Sequence, residues 1–322
     1  MGTDGREEKE PFVYINGGLN AEGDLSNDVW CLDVEKRTWI EVHRGGSNVD
    51  GIGAIPPSRF NHAMCRMGDS LAVHGGESSS GSLLGDLSLF HPRTALWSQA
   101  RVSLAGPRPC PRSSHCLAYV ERSVECPSTP ASLVLFGGIG KDLDGLENQE
   151  TTLLNDLWVL SPVTDRWLKS AHRIHECDED SSTPIWSLLV LEGVGPSPRS
   201  LASISPRPCG RDLFLFGGYG LVELPGDPSA SEGDAGSEDG DIIVAYIDDL
   251  WMLNLGGETT PNLEWVDEEG MGFAGETIIE GRNGHTLTWC GVNKLVLFGG
   301  FVGDGFDASL HVAEPLLKHY IS

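Results

Sequence analysis

The sequence predicts an all-β protein assembled from copies of one small four-stranded antiparallel sheet. Three observations carry that expectation. A short apolar run ending in two glycines is written as LVLFGG at Leu133–Gly138, LFLFGG at Leu213–Gly218 and LVLFGG at Leu295–Gly300, and in looser form twice more. After a glycine pair comes an acidic residue followed by an apolar one: NDVW at Asn27–Trp30, GDLS at Gly85–Ser88, NDLW at Asn155–Trp158 and DDLW at Asp248–Trp251. A trailing tryptophan then closes the unit: Trp39, Trp97 and Trp167 each lie 11 residues beyond Asp28, Asp86 and Asp156, and Trp265 lies 16 beyond Asp249. Seven of the nine tryptophans thus occupy two recurring positions, which scatter would not produce.

The glycine pairs are Gly17–Gly18, Gly75–Gly76, Gly137–Gly138, Gly217–Gly218 and Gly299–Gly300, with gaps of 58, 62, 80 and 82 residues between their first members. Such uneven spacing fits a unit of about 50 residues carrying loop insertions rather than a strict solenoid. From the second unit on, the first strand starts at an arginine with a His or Ser nearby: Ser58–His62, Pro111–His115, Pro198–Ala202 and Gly281–His285. The second strand is the apolar run into Gly-Gly, apolar on both faces as a strand between two neighbours must be. The glycines permit positive φ and close backbone approach. The third strand carries the Asp-Leu-Trp stretch. The fourth carries the last tryptophan, an apolar plate able to fill the gap between adjacent sheets. One such sheet cannot bury its own faces, so copies must stack.

Glycine pair, Asp-apolar strand and trailing tryptophan together resemble the kelch repeat, over Phe12 to Val312. The resemblance implies a β-propeller of the galactose-oxidase/kelch type with five recognisable blades. Their approximate extents are residues 12–42, 57–100, 111–170, 197–267 and 282–313, between tails 1–11 and 314–322. The first repeat begins at its second strand, FVYINGG (Phe12–Gly18); in many kelch propellers a C-terminal strand returns to complete that blade. The fifth has a weak third strand, Ala308–Val312, and no closing tryptophan. The total of about 17 or 18 strands falls short of five four-stranded blades. The expectation is a ring incomplete at the C-terminus, either a truncated product or one closed by another segment or chain.

Composition narrows the function classes. The 322 residues suffice for a sizeable core, and 41 glycines favour short strands and tight turns. A net charge of −25 repels phosphate backbones and argues against general nucleic-acid binding. The polar start MGTDGREEKE has no secretory core, Arg6 stands where a myristoylation signal wants Ser or Thr, and no apolar run approaches the roughly 18 residues of a membrane span. Eight cysteines without a C-x-x-C pair read as reduced thiols. The expected location is cytoplasmic or nuclear, with no membrane partner.

Strand alternation puts the second-to-third and fourth-to-first connections on one face, which also carries the insertions at 138–154, 218–248, 168–198 and 266–281. That loop face is the expected working surface. Arg59, Arg112, Arg199 and Arg282 begin where fourth-to-first connections end. By resemblance to kelch domains they ring the channel mouth on that face and hold an acidic peptide or a terminal carboxylate, for which a guanidinium fork is well shaped. Asn61, Ser113, Ser200 and Asn283 stand close by as neutral donors. The alternative use of the arginines is pairing with Asp or backbone carbonyls. The acidic stretch Pro225–Asp241, with six carboxylates, is expected to be disordered.

His172, His175 and Cys177 form a weak zinc-type cluster of non-standard spacing. No nucleotide-binding, zincin or serine-hydrolase motif occurs, and no cofactor is expected. The sequence therefore reads as a non-catalytic kelch propeller that binds a protein or peptide as an interaction or scaffold module, such as the recognition part of a ubiquitin-ligase assembly. The alternatives are an enzyme or metal-dependent enzyme modifier of the same fold, or the propeller of a larger multidomain protein.

Overall fold

The computed structural model describes residues 12–46, 55–122, 130–141, 150–164, 167–168, 183–208, 212–223, 242–255, 263–267, 279–291 and 294–313. They form a five-blade propeller of small antiparallel sheets. Blade 1 is β1 (Phe12–Leu19), β2 (Leu25–Asp33) and β3 (Thr38–His43). Blade 2 comprises β4 (Arg59–Phe60), β5 (Ala63–Met67), β6 (Ser70–His74), β7 (Glu77–Ser78), β8 (Leu87–His91) and β9 (Leu96–Gln99). Blade 3 comprises β10 (Arg112–Ser113), β11 (Cys116–Val120), β12 (Ser132–Gly140), β13 (Thr152–Ser161) and β14 (Ile185–Leu189). Blade 4 comprises β15 (Arg199–Ser200), β16 (Ser203–Pro206), β17 (Asp212–Glu223), β18 (Ile242–Leu255) and β19 (Leu263–Asp267). Blade 5 comprises β20 (Thr286–Cys290), β21 (Lys294–Phe298), β22 (Phe301–Val302), β23 (Gly305–Phe306) and β24 (Leu310–Ala313).

In blades 2, 3 and 4 the innermost strand is one kinked path: β4 then β5, β10 then β11, β15 then β16. The kink is a left-handed residue two places after the arginine. Asn61, Ser114, Leu201 and Gly284 have φ of 52°, 56°, 55° and 61°. That conformation strains any residue with a Cβ, by about 1–2 kcal/mol. Here it turns backbone groups toward the next blade. The Ser114 amide donates to the Asn61 carbonyl (2.7 Å), that of Leu201 to Ser114 (2.8 Å) and that of Gly284 to Leu201 (2.9 Å). A chain of peptide hydrogen bonds thus runs from blade to blade around the axis.

The two glycines of each pair have different tasks. The first is the extra residue of a bulge, as at Gly137 between the paired Phe136 and Gly138. It lies under the following blade: a Cβ on Gly75 would stand 2.5 Å from the Arg112 carbonyl oxygen. The second faces the inner strand of its own blade: a Cβ on Gly138 would stand 2.6 Å from the Ser113 carbonyl oxygen. The exceptions fall at the ends of the chain of blades. Gly18 has nothing within 4 Å of such a Cβ, and Gly299 meets only Asp307 at 3.4 Å.

Apolar clusters fill the gaps between blades 1 and 2 (Val29, Val73, Phe90, Trp97), 2 and 3 (Leu87, Leu89, Leu133, Trp158), 3 and 4 (Cys116, Phe136, Leu215, Trp251), and 4 and 5 (Phe214, Phe216, Leu295, Leu297). Among the described residues none joins blade 5 to blade 1. Accordingly Trp39, on the outer strand of blade 1, is half exposed, whereas Trp97 on the corresponding strand of blade 2 is buried.

Blade 3 departs from the sequence reading. Trp167 is not on the fourth strand; that strand is β14, with Trp186. Both indoles are buried in the same cluster, and the Trp167 Nε1–H donates to the Arg101 carbonyl at 2.6 Å. Trp167 fills the interblade gap from outside the strand, beside the Trp186 that the fourth strand supplies. β14 pairs with β13, so the fourth strand follows residue 184, and the fourth-to-first connection of blade 3 begins at residue 190 rather than 168. Blades 1 and 5 show three ladder strands each rather than four. The tails 1–11 and 314–322, the acidic stretch 225–241 and His172, His175 and Cys177 lie outside the described residues, as does the side chain of Trp265.

Candidate functional site

The four arginines lie at the loop-face end of the innermost strands, and their side chains turn into their own blades. Arg59, Arg112, Arg199 and Arg282 are 0%, 0%, 1% and 2% exposed. In blade 2 the Arg59 fork donates to both oxygens of Asp86, at 2.8 Å each, and its Nη1 also reaches the Gly75 carbonyl at 2.8 Å. Its Nε donates to the Pro57 carbonyl at 3.1 Å. In blade 3 Arg112 binds Asp156 (2.6 and 2.7 Å), the Gly137 carbonyl (3.0 Å) and the Cys110 carbonyl (3.1 Å). In blade 4 Arg199 binds both oxygens of Asp249 and the carbonyls of Gly217 and Ser197. In blade 5 Arg282 binds Asp307 at 2.7 Å and the carbonyls of Gly299 and Glu280. Each arginine ties the first strand of its blade to the end of the second and the start of the third.

The motif aspartates have a second donor two residues on. Trp158 Nε1 donates to Asp156 and Trp251 Nε1 to Asp249 at 2.6 Å. Where the tryptophan is missing, a serine hydroxyl takes its place: Ser88 donates to Asp86 (3.2 Å) and Ser309 to Asp307. Asp28 of blade 1 accepts from Trp30 Nε1 at 2.8 Å and has no arginine among the described residues. The Ser309 bonds, then Arg282, pull the Asp307 pKa down to about 2. Asp86 is also lowered; burial opposes its ionisation, and Arg59 outweighs the burial.

In this geometry the arginines take the alternative use named above, pairing with Asp and backbone carbonyls. A ring of free forks at the channel mouth would need unpaired donors, and these donors are engaged by aspartate and carbonyl oxygens inside the blades. Ser113 and Ser200 are likewise buried, at 3% and 2% exposure. Asn61 is exposed and Asn283 half-buried, so these two of the named neutral donors reach the surface. Asn61 corresponds in the repeat to Ser114, Leu201 and Gly284, not to Ser113.

Behind the arginines stand histidines. Each of His62, His115 and His285 brings its Cε1 against the first glycine of the preceding blade, Gly17, Gly75 and Gly217. His115 Nε2 and His74 Nδ1 share a hydrogen bond of 3.0 Å. Burial, then the Arg112 charge, lowers the His74 pKa to about 3; burial, then Arg282, lowers His285 to about 4. Burial and the neighbouring His74 hold His115 well below the usual range. These rings are neutral packing elements in the fold.

Sequence comparison is consistent with this construction. The chain matches the family model of the KLHDC2/KLHL20/DRC7 Kelch-repeats domain over residues 8–183. The chain belongs to the kelch-repeat family. It is 26% identical to human host cell factor 2 over 272 residues, which is 81% of this chain and 27% of that protein. It is 26% identical to an F-box/kelch-repeat protein of Arabidopsis thaliana over 54% of this chain and 34% of the relative. With tip elongation aberrant protein 3 of Schizosaccharomyces pombe (strain 972 / ATCC 24843) it shares 25% identity over 82% of this chain and 20% of the relative. It thus spans between 20% and 34% of the length of these relatives.

Two predictions follow from the buried polar groups of this kelch propeller. Arg112→Ala strands Asp156 and the Gly137 carbonyl, and should lower unfolding stability by about 3 kcal/mol in urea titrations. Arg112→Lys should recover less than half of that, because an ammonium cannot form the fork; full recovery would refute the clasp. The histidines set a separate pH window. Their folded pKa values lie below the unfolded value of about 6.5, so above that pH both states are neutral and stability is level. As pH falls through about 6 the unfolded chain takes up protons that the fold refuses, and the urea midpoint should drop steadily down to about pH 4. A midpoint that stays flat from about pH 7 to 5 would contradict this.

Proposed function

We propose that this kelch propeller is a non-catalytic interaction or scaffold module that binds a protein or peptide on its second-to-third and fourth-to-first loop face. One observation carries the reading. The repeated polar groups (arginine, aspartate, indole N–H, glycine carbonyl) bind one another inside the blades. The surface above them presents side chains that differ from blade to blade, including Asn61, Lys141, Tyr219 and Phe306. A rigid scaffold bearing variable loops is a usual platform for recognition. Asn61 and Asn283 are the neutral donors available there, with the arginines holding their backbone in place. Recognition within a ubiquitin-ligase assembly is the finer reading, favoured by similarity to a relative named as an F-box/kelch-repeat protein. A cytoplasmic or nuclear setting is supported by the free thiols of Cys31, Cys110 and Cys116, buried in or beside the blades.

Proximity labelling in cells tests the face. The pair Ser79→Arg with Lys141→Glu, both exposed on the loop face, should remove partners from the labelled set. The change Glu35→Arg, on the opposite face and away from the cavity described below, should keep them. The reverse pattern would overturn the assignment.

A second interaction is favoured by blade 1: a further segment or chain completes it. Among the described residues β1 pairs only with β2 and its other edge is open, whereas the corresponding strands β6, β12, β17 and β21 are paired on both sides. A cavity of about 510 Å³ lies between β1 and blade 2, lined by Phe12, Tyr14, Met64, Arg66, Leu71 and Arg93 among others. Among the described residues Asp28 lacks the arginine its counterparts hold, and Gly18 lacks the inner strand that presses on Gly76 and Gly138. The occupant is therefore an extended strand opening with arginine, added to the edge of β1. A synthetic peptide copying Arg112–Val120 should raise the melting temperature of the wild-type protein by ligand linkage. It should do so neither for Asp28→Asn nor when its own arginine is alanine. No shift, or a shift indifferent to Asp28, would remove the proposal.

A further inference from the structure

The loop face over blades 4 and 5 carries a ladder of aromatic rings that the repeat does not require. Tyr219 and Tyr246 are cross-strand partners on β17 and β18, with ring centroids 5.3 Å apart. Tyr246 meets Phe301 across the blade boundary at 5.8 Å, and Phe301 meets Phe306 on the β22–β23 hairpin at 5.3 Å. The corresponding positions after the earlier glycine pairs are Leu19, Glu77 and Ile139, so stacking of blades does not dictate an aromatic there. Phe306 is 91% exposed and Tyr219 37% exposed. The strip continues outward: pairing of Leu221 with Val244, and the period-two alternation that adds Ile242, put these residues on the same side of the hairpin as the two tyrosines. Ile242 and Val244 are themselves exposed, at 63% and 47%. A large apolar strip left in water on a strongly charged protein marks a contact surface.

The charge around the strip selects the partner. Asp248, Glu280 and Asp304 are exposed beside it. The only cation in the segments that build it (217–223, 242–250, 279–284 and 299–307) is Arg282, whose fork is engaged inside blade 5. Exposed ring faces carry negative electrostatic potential and attract guanidinium and ammonium groups. The carboxylates add to that field, as does the net charge of −25. An acidic peptide or a phosphate backbone would be repelled. A purely apolar partner would have to desolvate carboxylates without pairing them. A basic segment satisfies both features at once: its guanidinium planes lie on the rings and its N–H groups reach the carboxylates.

We infer that the aromatic strip of Tyr219, Tyr246, Phe301 and Phe306, flanked by Asp248, Glu280 and Asp304, binds an extended arginine-rich segment of a protein partner. The inference rests on the loop-face reading above and gives it a partner chemistry.

The test is fluorescence anisotropy with a fluorescein-labelled Arg-Gly repeat peptide, against Glu-Gly and Leu-Gly repeats of equal length. The wild-type protein should bind the Arg-Gly peptide in preference to both others, more weakly as salt rises. Phe306→Ala leaves the net charge unaltered and truncates a side chain in water, so the protein stays folded. It should weaken binding by about five- to tenfold. Tyr219→Leu, which keeps an apolar residue on the strand, should weaken it similarly, and Asp304→Asn by about twofold. Equal affinity in wild type and Phe306→Ala would mean that the acidic surface attracts cations indiscriminately, and would overturn the site. Equal binding of the Leu-Gly peptide would overturn the charge selection. A protein that keeps its loop-face partners in cells yet ignores the Arg-Gly peptide would retain the module reading and lose this one.

Discussion

The molecule depends on one contact repeated in blades 2 to 5: a buried arginine clasped by an aspartate and a glycine carbonyl. Burying a guanidinium is costly unless each donor finds an acceptor. Here the carboxylate meets the fork, and the backbone supplies the remaining acceptors. The aspartates keep about a quarter of their side-chain surface in solvent, at 26–29%. That moderates the desolvation of the pair. The clasp fixes the start of the inner strand against the two strands that follow it. The left-handed residue two places on can then hand a peptide hydrogen bond to the neighbouring blade. Intrablade electrostatics and interblade backbone pairing are thus set by the same three residues of sequence in each blade, such as Arg112–Ser114.

The glycine pair makes this arrangement sterically possible. One glycine admits the arginine carbonyl of the following blade, and the other admits the inner strand of its own. Because both demands are local, each disappears where a neighbour is missing. Gly18, Gly299, Asp28 and Trp39 are ordinary repeat residues whose partners belong to a strand or blade that the described residues do not supply. β1 carries both the open edge and, with Phe12 and Tyr14, one wall of the cavity that faces blade 2.

Consuming the repeated polar groups inside the blades also separates framework from recognition. The motif arginines, aspartates and indoles hold the sheets. The residues free to meet a partner are those that break the repeat, such as the aromatic pairs of blades 4 and 5.

Several features could be read from the chain itself. The apolar runs into Gly-Gly, the Asp-Leu-Trp strands and the tryptophan spacing determined an all-β stack of repeated sheets, because strand periodicity, backbone freedom at glycine and indole volume are local properties. The partnership of arginine with aspartate left a trace as well: the one unit that lacks the arginine is the one whose aspartate stays unclasped. What the guanidinium groups face was decided only by the tertiary structure. The same fork serves a ligand or a buried carboxylate depending on which way χ1 turns it, and that choice is made by aspartates 25 to 50 residues away. The same holds for Trp167, whose spacing suggested a strand although only its burial mattered, and for the aromatic strip, whose members lie up to 87 residues apart and meet because adjacent blades fold their loops to one side. Local geometry is written in neighbouring residues; the direction of a side chain and the company it keeps depend on contacts that close only when the blades pack.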